Sequence, residues 1–62
     1  MTFLKLTEVK SQDCVVINTD NIVAVFVATE SDLKGKTVIN LINGMVAVEE
    51  DFLTVIGQLA AV

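Results

Sequence analysis

The sequence predicts an α+β domain that is mostly β: five short antiparallel strands in a curved sheet or small open barrel, with one C-terminal helix, in a single small domain over residues 1–62. Three observations predict it. Asn43-Gly44 stands between two β-prone runs, and Asn-Gly readily supplies the two positive-φ residues of a type I′ hairpin turn. Phe52, Val55, Ile56, Leu59 and Ala60 fall at i, i+3, i+4, i+7 and i+8, which is one stripe of an α-helix. Ile22 to Thr29 is a strand-length run that is apolar on both faces.

Taken in order, Met1 to Val9 reads as a first strand, with Leu4 and Leu6 on one face and Phe3, Lys5 and Thr7 on the other. The polar turn Lys10-Ser11-Gln12-Asp13 leads to a second strand, Cys14 to Asn18, hairpinned to the first. Asn18-Thr19-Asp20-Asn21 forms a turn in which Asn and Asp side chains bond their own backbone. The third strand, Ile22 to Thr29, points Ile22, Ala24, Phe26 and Ala28 one way and Val23, Val25, Val27 and Thr29 the other. A half-exposed strand alternates with polar residues, so one of these apolar faces is expected on the domain's own core and the other on a neighbouring subunit.

Glu30 to Gly35 is a charged loop, expected to be the most exposed segment. Leu33 within it reads either as a local anchor or as a partner contact. The turn at Asn43-Gly44 sets Ile42 opposite Met45, Leu41 opposite Val46, Asn40 opposite Ala47 and Ile39 opposite Val48. Ile39, Leu41, Val46 and Val48 then form an apolar core face, and Val38, Asn40, Ile42, Met45, Ala47 and Glu49 the other. Asp51 is the natural N-cap of the helix, with Glu49 and Glu50 near the positive end of its dipole. Gly57 either lets the helix lie close to the sheet or marks fraying near its end.

Sixty-two residues leave room for one core, and domains of this size usually need a staple. Cys14 is alone and His is absent, so neither a disulfide nor a thiolate metal site is available within one chain. With 53% of residues hydrophobic, oligomerisation is the remaining staple. The interface is expected at Val23, Val25 and Val27 of the third strand and at Val38, Ile42 and Met45 on the second hairpin's outer face. A net charge of −4 without Arg argues against nucleic-acid binding. The longest apolar run, Ile22 to Ala28, is strand-length and lacks the flanks of a signal peptide, so no membrane insertion and a cytoplasmic location are expected.

Catalytic chemistry is not indicated. There is no His to act as a base near neutral pH and no Ser-His or Cys-His pair, so no catalytic residue, no cofactor and no enzyme are expected. Cys14 reads as a buried small hydrophobe. Glu49-Glu50-Asp51 offers oxygen ligands, but three consecutive residues do not converge on one ion and helix capping accounts for them, so no metal is expected. No glycine spacing makes a phosphate loop. Asn18, Asp20, Asn21 and Asn40 form a polar set that either serves turns and edges or lines a ligand pocket at a subunit boundary.

Four segments, Leu4 to Thr7 (L-K-L-T), Val16 to Ile22 (V-I-N-T-D-N-I), Thr37 to Gly44 (T-V-I-N-L-I-N-G) and Val48 to Ile56 (V-E-E-D-F-L-T-V-I), together resemble the FlbD/SwrD family of small flagellar and swarming-motility-type proteins. Asp51 stands where that family has Ser, an exchange between two good N-caps. For the non-enzymatic, homo-oligomeric interaction protein that the residues suggest, the resemblance implies a role in flagellar motility. A second expectation is a phage-type or bacterial oligomer that binds a small molecule or nucleotide between subunits. The second half also resembles part of a LytTR-type DNA-binding domain, although the missing Arg residues and acidic charge oppose nucleic-acid binding.

Overall fold

The computed structural model describes residues 2–61, and Met1, placed in the first strand by the sequence, lies outside them. The elements are β1 (Phe3–Thr7), β2 (Cys14–Asn18), a 3-10 turn (Thr19–Asn21), β3 (Ile22–Val27), β4 (Thr37–Leu41), β5 (Gly44–Val48) and α1 (Phe52–Ala60). The fold is α+β and mostly strand, with a C-terminal helix. Its strands form two antiparallel sheets, β1-β2 and β3-β4-β5, rather than the single five-stranded sheet or barrel expected.

The two sheets share one core, and among the described residues their main chains pair at one place. Glu8 and Val48 form an isolated antiparallel bridge, flanked by Val9 N donating to Ala47 O at 3.0 Å and Glu49 N donating to Thr7 O at 2.8 Å. A longer ladder does not form because both chains leave it. Beyond Val9 the chain turns through Gln12, at φ 61°, toward β2, and beyond Val48 it enters the helix cap.

Alternation decides the first hairpin. Leu4 and Leu6 pair with Ile17 and Val15 on the inner face, and Leu4, Leu6 and Ile17 are buried. The other face carries Phe3, Lys5 and Thr7 opposite Asn18, Val16 and Cys14. Cys14 is therefore exposed, contrary to the sequence expectation, because its pairing with Thr7 puts it on the solvent side of an otherwise apolar strand.

In the second sheet the observed pairs are Asn40–Met45, Ile39–Val46, Val38–Ala47 and Thr37–Val48, so the turn residues are Ile42 and Asn43 rather than Asn43 and Gly44. Neither of them has positive φ, so the type I′ turn is not formed, and Gly44 opens β5 at φ 157°. The register differs from expectation by two residues. A slip of two preserves side-chain faces, and Ile39 and Val48 are completely buried, with Leu41 and Val46 packed against the same core.

Strand β3 departs further. Ile22 pairs with Leu41 and Ala24 with Asn40, which leaves Val23 as the extra residue of a bulge. Pairing ends at Val27, short of the expected Thr29. The bulge turns Ile22 inward as well as Val25, so Val25, expected at a subunit interface, packs against the protein's own core, while Val23 is 62% exposed.

The helix closes the core with Val55, which is completely buried, and Phe52 and Leu59 are half-buried on the same row. Asp51 caps it as expected, accepting from Thr54 N at 2.8 Å. The buried row centres on Val55, so Gln58 becomes half-buried while Ile56 and Ala60, expected in the stripe, face outward. Helical structure continues through Gly57 to Ala60. No helix among the described residues is long and apolar enough to cross a membrane.

Candidate functional site

The strongest candidate is the outer face of the β3-β4-β5 sheet. Pairing places Ala24 and Phe26 of β3, Val38 and Asn40 of β4, and Met45 and Ala47 of β5 on this face. Met45 is 67% exposed and Phe26 43% exposed, and Ile42 at the adjoining turn is 71% exposed. Five apolar side chains on one face of a short sheet are too many for a face meant only for water.

A groove of about 270 Å³ runs across this face, lined by Phe26, Leu33, Val38, Met45 and Ala47, with Glu8 and Lys10 among its charged lining. Val38 is 4% exposed although it points away from the core, and Leu33 of the 30–35 loop lines the same groove. That loop is built for the purpose. Ser31, at φ 69°, lets its Oγ accept from Leu33 N at 3.2 Å, and Gly35, at φ 87°, donates its amide to Ala28 O at 2.9 Å. Leu33 is thus a local anchor that also forms one wall of the groove.

The expected interface set divides. Val38, Ile42 and Met45 belong to this face or its turn, Val23 protrudes at the bulge, and Val27 pairs with Thr37, next to the sheet's edge. Val25 faces the core. Phe26 was missed as a surface-forming residue, whereas Leu33 was already singled out as an anchor or a contact. Phe26 was legible only as half of an ambiguous alternation, whose phase the bulge at Val23 sets.

The expected polar pocket residues are engaged separately. Asn18 Oδ1 accepts from Asp20 N at 3.0 Å, an Asx turn as predicted, and Asn21 O accepts from Ile42 N at 3.0 Å. Asn40 lies on the outer face between Ala24 and Met45. No side-chain hydrogen bond joins Asn40 to Asn18, Asp20 or Asn21 among the described residues.

The three consecutive carboxylates point to three different partners. Glu49 accepts from Lys36 Nζ and from Gln12 Nε2, each at 2.7 Å, and these bonds hold its carboxyl below the usual range. Glu50 accepts from Thr7 N at 2.9 Å and from Thr7 Oγ1 at 3.2 Å. Bonds from Thr54 lower Asp51, and bonds from Ser11 lower Glu8. Among the described residues no group of three His, Cys, Asp or Glu side chains is arranged to hold a metal ion.

No known protein family matches the chain, and no curated protein or solved structure is detectably similar to it.

Proposed function

We propose that this chain is a non-enzymatic, homo-oligomeric interaction protein of the FlbD/SwrD motility type. The observation that carries the interaction role is the outer sheet face, where Phe26, Met45 and the Ile42 turn expose apolar surface around the Val38 groove. The motility assignment rests on the four sequence segments that resemble that family. An exposed, unpaired thiol at Cys14 suits a reducing compartment, in keeping with a cytoplasmic location.

A second reading is a phage-type or bacterial oligomer that takes a small molecule or nucleotide at subunit boundaries. The groove favours it, because it combines an apolar floor with one carboxylate and one ammonium, the kind of lining that orients an amphiphilic ligand. LytTR-like nucleic-acid binding is the weakest of the readings, since the chain has four Lys, no Arg and a net charge of −4.

Native mass spectrometry of protein purified gently from its own host separates these readings. A discrete oligomer without added mass supports the interaction protein, and one carrying small-molecule mass that is lost on denaturation supports the ligand-binding alternative. A monomer at every concentration overturns both. Gene neighbourhood gives an independent check: motor genes favour motility, phage or defence genes the alternative.

A further inference from the structure

The outer edges of β2 and β3 are both left without a main-chain partner among the described residues, and the β3 edge is the more exposed in its side chains, with Val23, Phe26 and Val27 open to solvent. The amide of Ala28 donates to Lys36 O at 2.9 Å, and alternation along an antiparallel ladder then directs the main-chain groups of Ala24 and Phe26 toward β4 and those of Val25 and Val27 away from it. The same phase continues across the sheet, since Ala47 on β5 turns its carbonyl outward to Val9. Among the described residues, nothing hydrogen-bonds to Val25 or Val27 from the outer side. Exposed edges are usually guarded by charge, Pro or a bulge; Ile22–Val27 contains no charge and no Pro, and its one guard is the bulge at Val23, which leaves Ala24 to Val27 as a regular edge.

We propose that this edge pairs antiparallel with the same edge of a second copy, about a twofold axis at Val25, making the two three-stranded sheets continuous. The inference rests on the homo-oligomer reading above and specifies its contact. Three features favour a second copy as the occupant. With Val25 opposite Val25, the two Val25 residues exchange a pair of main-chain hydrogen bonds, and Val27 of each copy lies opposite the bulged Val23 of the other, whose carbonyl can accept from the Val27 amide, so about four main-chain hydrogen bonds form. On the outer face the same register sets Phe26 of one copy across from Ala24 of the other, a large side chain beside a small one at both symmetry-related places. The strand carries no charge, so its centre meets its own copy without repulsion.

The contact adds the edge of one short strand and the exposed parts of Val23, Phe26 and Val27, which places it in the small, transient class below about 1,200 Å². Association is therefore weak. Each copy carries −4, so added salt strengthens pairing by screening the repulsion.

Amide hydrogen exchange on the unmodified protein at low micromolar and at millimolar concentration tests the proposal, alongside sedimentation equilibrium. Val25 and Val27 amides slow about tenfold or more in the concentrated sample, while those of Ala24 and Phe26, already bonded to β4, do not change. If a dimer sediments but the Val25 and Val27 amides exchange at one rate throughout, the contact lies elsewhere; the edge proposal falls and the oligomer reading stands. A monomer at both concentrations removes both. As a second check, V23K, at an already exposed position, weakens the dimer about tenfold whereas M45K leaves it unchanged. The opposite order moves the contact to the outer face and overturns the edge proposal.

Discussion

Glu50 holds Thr7 by two bonds, one to its amide at 2.9 Å and one to its hydroxyl at 3.2 Å, across 43 residues of sequence. The carboxylate takes the place of the next main-chain acceptor where β5 turns away from β1, so the short seam between the sheets ends without an orphaned amide. Replacing Glu50 with Ala leaves the Thr7 amide without that partner and destabilises the fold by about 1–3 kcal/mol, read from urea unfolding. Glu50→Gln keeps one acceptor and costs less. Equal losses for the two variants would remove this account of the seam.

Thr37 presents the reverse situation. Its side chain is 1% exposed on the core face opposite Val48, and its Oγ1 has no hydrogen-bond partner among the described residues. Thr37→Val exchanges the hydroxyl for a methyl of similar size and removes an unmet polar group, so stability is unchanged or rises by about 1–2 kcal/mol. A loss of more than about 1 kcal/mol in the same unfolding assay would show that the hydroxyl is satisfied.

Acid weakens the fold through three surface carboxylates. Glu8, Glu49 and Asp51 are all held below their ordinary range by hydrogen bonds made in the folded chain. Each therefore contributes stability that is fully present above the unfolded-state value of about 4 and is lost as pH falls through the lowered folded value. Melting temperature stays level from neutral pH to about 5 and declines below about 4. Asp51→Asn, which retains capping ability without the titrating charge, flattens part of that decline. An identical acid profile for the variant would exclude Asp51 as a contributor.

Cys14 reacts with a maleimide in the native state. Its thiol lies on the solvent face of the first hairpin opposite Thr7, so labelling is complete without denaturant, at a rate comparable to the unfolded chain. Protection by a factor of a hundred or so would restore the buried position that its apolar neighbours suggested.

Much of this architecture was legible because the relevant signals are local. Asp51 is an N-cap in sequence and in structure, and Leu4, Leu6, Ile39 and Val48 face inward as their alternation dictates. The hairpin faces survived a two-residue register error, since side-chain direction repeats every two residues. What was illegible depends on contacts between distant segments or on a break in periodicity. The bulge at Val23 leaves no mark in a strand of six residues that are all apolar, yet it decides that Val25 packs inward. Glu50 at Thr7 is a tertiary contact that no window along the chain contains.

The single bridge between Glu8 and Val48 also concentrates the entropic cost of closing the fold. Each sheet is built from hairpins or strands with short connections, whose loops close at little entropic cost, whereas the seam must bring together residues some forty positions apart. Joining the sheets at Glu8–Val48, secured by Glu50 on Thr7, therefore carries the larger loop-closure cost, and the core that Leu4, Leu6 and Ile17 share with Ile39 and Val48 closes with it.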